Sequence, residues 1–201
     1  MLDRVVKMLD FSLEKKLSLL IGLFSLILSF QSSAYSYSAM GNEPVIEGRE
    51  AMLIAIGDKN FSEVRVALTT FQDELKYFEK NHDDLLEKFQ IAIEQKNGSQ
   101  IENLLDRTIY AVIERRLTKA YEELSSYQVA KVLVMKSKLY LDILSPQLSE
   151  LDKKNALEAM SAILKSIGNP GVFGVGQTLA DPEIFKKNKT VLFAALKQFN
   201  L

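Results

Sequence analysis

The sequence predicts an all-α protein built from antiparallel helical hairpins, about seven helices in a TPR-like or bundle arrangement. Three observations lead to this prediction. Apolar residues recur at helical spacing through most of the chain after residue 43. Capping residues, Pro and Gly mark short connections between these segments. No segment shows the strict alternation of apolar and polar residues that is typical of a strand.

The first two helices are expected on either side of the polar break at residues 57–60. Proline suits the first turn of a helix, so the Pro at position 44 is expected to open a helix over about 44–56. The second helix is expected over about 62–80, with apolar residues at helical spacing throughout. Asn60 followed by Glu63 resembles a capping box for this helix.

The later helices begin at recognisable caps. Ser99 with Glu102 predicts a capping box at the start of a long fourth helix. Asp181 predicts a cap for the last helix, with Pro182 at its first position. The other spans are expected from Asp83 or Asp84 to Asn97 for the third helix, from Ser125 or Ser126 to the residue before Pro146 for the fifth, about 151–167 for the sixth and about 182–199 for the last.

A short internal similarity supports helical hairpins. The stretch IAIGDKNFSEV at 54–64 matches IAIEQKNGSQI at 91–101, an offset of 37 residues. Each copy is predicted to contain a helix end, a tight turn and the next helix start. Periods near this length are typical of helical-hairpin repeats. The alternative is that two hairpins merely share the same turn chemistry.

The N-terminus resembles an export signal. Two lysines at 15 and 16 precede the apolar run Leu17–Phe30, which is followed by small and polar residues. Ser32 and Ala34 suit cleavage before Tyr35, so we expect a signal peptide at 1–34 and a single all-α domain at 35–201. The run has 14 residues, whereas a membrane span needs roughly 20. An uncleaved N-terminal anchor is the alternative to a cleaved signal.

Composition excludes several classes of function. The net charge of −1 gives no basic surface for nucleic acid. The chain has no cysteine, which removes disulfides, thiolate metal sites and cysteine nucleophiles. No Gly-x-Ser-x-Gly elbow accompanies the single histidine, so no Ser-His catalytic triad of that type is predicted.

The glycine-rich stretch GNPGVFGVGQ at 168–177 raises the question of phosphate binding. A P-loop needs Lys after its last glycine, and here Gly176 is followed by Gln177. We therefore expect Gly168 to end the sixth helix and the stretch to form a close-packed crossover. Its apolar members Val172, Phe173 and Val175 are expected to pack on the helices. An exposed Phe173 would instead be a candidate for binding a partner.

Candidate metal ligands lie in two places. Glu43, Glu47 and Glu50 share one helical face, and stacked carboxylates can bind iron or another divalent cation. His82, followed by two aspartates, is a more distant candidate. The alternative in both cases is a solvated acidic surface near a helix N-terminus, where acids are favoured.

Two adjacent arginines are the remaining candidates. If Arg115 or Arg116 faces inward, it is expected to pair with an acid such as Asp106 or Glu122 and hold two helices together. An inward arginine can alternatively hold an anionic ligand or a partner through its bidentate guanidinium.

The residues Arg49-Glu50-Ala51-Met52-Leu53-Ile54 resemble the arginine–glutamate motif of iron permeases, although Leu53 replaces the second glutamate of that motif. The apolar run also ends too early for a permease span. The helical pattern as a whole is similar to secreted helical domains that accompany bacterial iron-uptake systems, such as the imelysin-like group. The histidine-centred metal motif of that group is missing from this sequence, so the resemblance implies a helical exported domain and carries over no metal site.

These observations predict an exported, periplasmic or secreted binding or scaffolding protein of the bacterial envelope without catalysis. A protein partner or small ligand is expected to bind in a groove between helices, and the membrane is involved only through the export signal. The alternatives are a periplasmic iron-binding protein that uses the acidic helix, and a small enzyme of unrecognised type. No cofactor is predicted unless a divalent cation binds.

Overall fold

The computed structural model describes residues 41–78, 84–171 and 175–200. Within these ranges the regular secondary structure is entirely helical, which confirms the all-α prediction. There are eight α-helices here because one predicted helix is divided. In chain order they are α1 Pro44–Gly57, α2 Phe61–Leu68, α3 Gln72–Phe78, α4 Leu85–Glu94, α5 Gly98–Glu122, α6 Tyr127–Leu144, α7 Glu150–Ser166 and α8 Pro182–Ala195, with 3-10 helices at Ser145–Gln147 and Lys197–Phe199.

Helix α5 is the central element of the compact unit Glu43–Leu201. It is the longest helix described, and it packs against α1, α4, α6 and α8. Tyr110 and the apolar residues 111–113 are buried at consecutive positions, so the middle of α5 is covered on every side. A helix that is apolar all round belongs inside a bundle. The sequence pattern of α5 therefore fixes its place at the centre.

The two copies of the repeated sequence form the same turn. Lys59 and Lys96 both adopt the left-handed conformation, with φ of 56° and 53°. The next residue, Asn60 or Asn97, donates its backbone N–H to a carbonyl five residues back, at 2.8 and 2.9 Å. This is a Schellman helix end. Each Asn side chain then accepts a backbone N–H three residues on and caps the following helix.

The predicted second helix is wrong in one respect, because it breaks at Thr69 and Thr70. The Thr69 hydroxyl donates to the Val66 carbonyl at 2.6 Å, and the N–H groups of residues 69–71 reach carbonyls three residues back instead of four. Threonine hydroxyls compete in this way with regular helix bonding. The break lets Phe71 turn inward onto Gly48 and against the Phe89 ring.

The predicted capping box at Ser99 is also wrong, and the long helix begins at Gly98. Asn97 is the cap, because its side chain accepts the N–H of Gln100 at 3.1 Å and donates to the Gln100 side chain. The cap thus lies two residues earlier than expected, and no reciprocal capping box forms there, because the backbone N–H of Asn97 donates to the Ala92 carbonyl. At the last helix, the predicted cap is confirmed by the Asp181 side chain, which accepts the N–H of Ile184 at 2.9 Å.

The glycine-rich stretch forms a crossover between α7 and α8. Gly168 has a φ of 81° after the end of α7, as predicted, and a side chain there would meet the Thr178 carbonyl oxygen. Asn169 and Thr178 exchange two backbone hydrogen bonds of 2.9 Å. The expected packing of Val175 is wrong, since this side chain is 79% exposed. Val172 and Phe173 lie outside the described residues.

The predicted signal peptide at 1–34 also lies outside the described residues, and so does its cleavage site. None of the helices that the structure describes is long and apolar enough to cross a membrane. The choice between a TPR-like stack and a bundle stays a prediction.

Candidate functional site

The most distinctive polar feature of the fold is a buried carboxylate with three donors. Glu43 is 7% exposed and lies immediately before α1. Its Oε2 accepts hydrogen bonds from Arg116 Nη2 at 2.6 Å and from the Tyr140 hydroxyl at 2.8 Å. Lys136 Nζ lies 2.8 Å from Oε1 as an ion pair. This buried cluster, Glu43, Arg116, Lys136 and Tyr140, joins the start of α1 to α5 and α6.

Local sequence explains why these side chains meet. Pro44 opens α1, and the Glu43 carbonyl accepts the first helical N–H groups while its side chain caps none of them. The carboxylate is therefore free to turn into the bundle. Lys136 and Tyr140 are four residues apart on α6, so they share one face of that helix. The Arg116 guanidinium lies over the Tyr140 ring, 4.7 Å from its centroid.

The cluster shifts the pKa values of two of its groups. Burial alone raises the pKa of the Glu43 carboxyl, but contacts with Lys136, Arg116 and Tyr140 outweigh burial and hold it below its usual value. Burial raises the pKa of Tyr140 far above its usual range, opposed by the Arg116 charge and reinforced by the bond to Glu43. At neutral pH the carboxylate is thus ionised and the phenol is a neutral donor.

The second arginine forms a separate pair one residue earlier on α5. Arg115 Nη1 lies 2.8 Å from Glu74 Oε2, which joins α5 to α3. Its guanidinium also lies near the rings of Tyr77 and Phe78, 5.1 and 5.2 Å from their centroids. Cation–π contacts of this kind fix both the cation and the rings.

An open cleft of about 750 Å³ lies above these two pairs. The end of α3 forms one wall and Leu133 of α6 forms another, while the C-terminal half of α5 forms the floor. Tyr77 is 64% exposed at the rim. The described residues that line the cleft are Tyr77, Phe78, Glu114, Arg115, Arg116, Thr118, Lys119, Glu122 and Leu133.

The sequence left open whether Arg115 or Arg116 faces inward, and the partners expected for an inward arginine are wrong. Arg116 pairs with Glu43, and Arg115 pairs with Glu74, instead of Asp106 or Glu122. Asp106 lies 3.5 Å from Arg49, which joins α1 to α5. Glu122 pairs with Lys119 on the surface of α5 at 3.3 Å.

The structure separates the three predicted metal ligands of the acidic helix. Glu43 is buried among cations, whereas Glu47 and Glu50 are exposed on the first turns of α1. In the described parts of the chain, no three acidic or histidine side chains come together as a metal site. His82 and Phe173 lie outside the described residues. The metal hypothesis stays a prediction.

Three members of the two ion-pair groups were missed by sequence reasoning: Lys136, Tyr140 and Glu74. They lie far along the chain from their partners, and Tyr140 follows Glu43 at a sequence separation of 97. One signal was available for Lys136 and Tyr140. Both fall at helical spacing with the buried Leu144 of α6, so a lysine and a hydroxyl share an inward face. A lysine at such a position is a signal that an acid can lie nearby.

The chain matches no protein-family model, and neither the curated proteins nor the solved structures contain a significant match.

Proposed function

We propose that this chain is an exported, non-catalytic binding protein of the bacterial envelope, whose ligand or protein partner lies in the cleft between α3, α5 and α6. The cleft is the observation that carries the proposal. Its volume of about 750 Å³ falls within the range of roughly 300–1,000 Å³ that is typical of ligand sites. Aromatic and aliphatic walls with a few charged groups on the floor suit binding.

The lining of the cleft is held in place from beneath, which favours recognition. Arg115 is fixed by Glu74 and by two aromatic rings, and Arg116 is fixed by Glu43. Side chains that are already ordered lose little conformational entropy when a ligand binds. A preorganised floor with an exposed aromatic residue at the rim is therefore a favourable arrangement for binding.

Binding in the cleft is tested by placing a photo-crosslinking aromatic residue at Tyr77 in living cells. We expect a discrete crosslinked species, either a protein conjugate or a small-molecule mass increment. The matched control carries the same residue at Leu179, which is 84% exposed and lies on the crossover before α8. Identical products at both positions, or none at Tyr77, would exclude a dedicated partner at the cleft.

Export is tested separately by cell fractionation and N-terminal sequencing. The predicted signal at 1–34 gives a processed protein outside the cytoplasm that begins at Tyr35. A chain that stays unprocessed in the cytoplasmic fraction contradicts export and leaves the cleft proposal to stand on its own test.

A further inference from the structure

The chain contains a single Asn-Gly pair, and this pair lies in the second of the two repeated turns. Asn97 is exposed, and Gly98 is the first residue of α5. The N–H groups in the first turn of a helix have no partner within that helix, so the backbone nitrogen of Gly98 is not bonded to a carbonyl of α5. The turn thus places an exposed amide side chain next to a backbone nitrogen that has no neighbouring Cβ to hinder it.

The first repeated turn has the same backbone but different surroundings. Asn60 is half-buried and is followed by Phe61, whose side chain packs against the core. The Asn60 Oδ1 accepts the hydroxyl of Ser62 at 2.6 Å, as well as the backbone N–H that it caps. The two hydrogen bonds described for the Asn97 side chain both join it to Gln100, at 3.1 and 3.3 Å. Asn97 is therefore held less tightly than Asn60 and is more exposed to water.

We propose that Asn97 is a site of spontaneous covalent modification, where its side chain is converted to aspartate and isoaspartate through a cyclic imide formed with Gly98. The backbone nitrogen of Gly98 loses its proton and bonds to Cγ of Asn97, while the bond from Cγ to Nδ2 breaks and ammonia leaves with that proton. Water then opens the ring. Addition of water at Cγ gives aspartate, and addition at the backbone carbonyl carbon of residue 97 gives isoaspartate.

Ring closure needs only a local movement of the folded chain. The Asn97 side chain leaves its two bonds to Gln100 and rotates about Cα–Cβ toward the nitrogen of Gly98. Both bonds lie at the surface, so bonds to water replace them at little net cost. The buried residues of α5 begin only at Ile101, so the packing of the core stays intact. The reaction is therefore open to the native protein.

The packing of this turn explains why glycine follows Asn97. A Cβ at position 98 would lie 2.9 Å from Cγ2 of Ile56, closer than such contacts occur in proteins. Ile56 belongs to the first repeated segment, so the two repeated segments meet at this point. Their contact favours the one residue that also makes Asn97 labile.

The two products are expected to differ in their effect on the fold. Aspartate keeps the cap, because its carboxylate accepts the N–H of Gln100 as the amide does. Isoaspartate carries the main chain through Cβ and Cγ and so adds one carbon between α4 and α5. The N–H of residue 97 now bonds to the Ala92 carbonyl at 2.9 Å, and the longer chain cannot keep both this bond and the cap in place. Isoaspartate is therefore expected to loosen the connection between the two helices.

The test incubates the full chain in heavy-oxygen water at neutral pH and physiological temperature, followed by peptide mapping that distinguishes aspartate from isoaspartate. We expect both products at Asn97, each with one heavy oxygen, to form at least about tenfold faster than at Asn60, where the side chain of Phe61 hinders the same ring closure. Conversion of Asn97 no faster than that of Asn60, conversion without isoaspartate, or conversion that occurs only in urea would overturn the proposal.

Substitutions at the following residue make the test specific. Gly98→Ala is expected to slow the conversion of Asn97, and Phe61→Gly is expected to make Asn60 labile in the same way. Ser99→Ala is the matched control, because it changes an exposed neighbour and leaves the Asn-Gly pair intact. A rate at Asn97 that is the same in Gly98→Ala as in Ser99→Ala would overturn the cyclic imide.

The effect on the helix connection is measured by hydrogen exchange at the N–H of Gln100. Asn97→Asp reproduces the aspartate product and should keep the protection of this N–H, whereas the purified isoaspartate form should lose it. Equal protection in the two forms would contradict the loosening. Asn97 does not line the cleft, so neither result bears on binding there.

Discussion

At the scale of single residues, Glu43 has an unusual environment. Its carboxylate is almost fully buried, yet it is ionised because two cations and a phenol surround it. Removing one partner from a buried pair leaves a charge without compensation, and this loss exceeds what the intact pair contributes. Glu43 is therefore expected to be far more sensitive to substitution than its acidic neighbours on α1.

The first prediction compares Glu43→Gln with Glu47→Gln. The change at Glu43 should lower the free energy of unfolding by about 3 kcal/mol, because Arg116 and Lys136 lose the carboxylate with which both are paired. The exposed Glu47 should change it by less than about 0.5 kcal/mol. Urea denaturation at neutral pH measures both. Equal effects of the two substitutions would show that the cluster contributes little to stability.

The second prediction concerns acid. Because the pKa of Glu43 is lowered in the folded state, the unfolded chain binds more protons in acid. The contribution of Glu43 is fully present above the ordinary glutamate pKa of about 4.3 and is lost as pH falls through its lower, folded value. When unfolding is measured at successively lower pH across that range, the free energy of unfolding should fall less steeply in Glu43→Gln than in the unchanged protein. If the free energy of unfolding falls equally in Glu43→Gln and in the unchanged protein, the lowered pKa of Glu43 is contradicted.

The third prediction concerns Gly48, whose place on α1 has no room for a side chain. A Cβ there would collide with the Phe71 ring and would lie 3.3 Å from the Ala67 carbonyl oxygen. Gly48→Ala should destabilise the fold by about 1–3 kcal/mol, as overpacking does. Gly57→Ala is the control, since nothing lies within 4 Å of a Cβ at that position. Calorimetry should show a lower Tm only for Gly48→Ala.

At the scale of elements, the two repeated turns show how the helices are joined so closely. In each turn one asparagine completes the end of one helix and caps the beginning of the next. The residue before it must be left-handed, and in both copies that residue is lysine. A left-handed conformation costs a residue with a side chain roughly 1–2 kcal/mol, whereas glycine adopts it without this cost.

The fourth prediction uses this strain. Lys96→Gly should stabilise the protein by about 0.5–1 kcal/mol, because relief of strain exceeds the added entropy of the unfolded chain. Lys59→Gly should behave in the same way if the two turns are equivalent. Lys96→Ala is the control and should have little effect, since alanine meets the same backbone strain. Chemical denaturation measures the free energy of unfolding of the three variants, and both glycine variants should be more stable than Lys96→Ala.

Sequence periodicity was sufficient to predict that helices form, but it did not predict where each helix begins and ends. The apolar spacing of α5 and the proline at the start of α1 predicted where those helices lie. The break at Thr69 was missed because a hydroxyl bond to the backbone leaves the apolar spacing unchanged. Ser99 was preferred to Asn97 as a cap because the Asn was assigned to the preceding turn, whereas it serves both helices.

The candidate site was harder to predict for a physical reason. The sequence of α5 raised the possibility of an inward arginine, since a single helix shows which of its faces is apolar. Its partner depends on which distant segment packs there, and Glu43 is 73 residues away along the chain. Single-helix patterns contain no information about such pairings. From the sequence, Glu43 was consequently grouped with its exposed neighbours, as a candidate metal ligand or as part of a solvated acidic surface.

At the scale of the whole molecule, α5 contacts helices from both the earlier and the later part of the compact unit. It packs with α1 and α4 from the earlier part, and with α6 and α8 from the later part. Tyr110 meets Phe193 of α8 edge to face, and Tyr121 meets Phe185. A common central helix couples the elements around it, so the unit should unfold as one.

The fifth prediction follows from this coupling. Phe185→Ala removes a fully buried ring from α8 and should cost about 3–5 kcal/mol. Hydrogen exchange should show equal losses of protection in the middle of α5 and at Met52 of α1, far along the chain. Ile184→Ala, at a neighbouring half-exposed position, is the control. Unchanged protection at Met52 would show that α1 unfolds independently.

The position of Glu43 also bears on how far the chain can be trimmed by proteases. The compact unit begins at this residue, and proline follows it directly. An exopeptidase that shortens the chain to this point leaves the buried cations paired. Removal of one residue more takes away the carboxylate that pairs with Arg116 and Lys136, and we expect the shortened bundle to lose stability. Glu43 is therefore expected to mark the limit to which the N-terminal side can be trimmed while the unit stays folded.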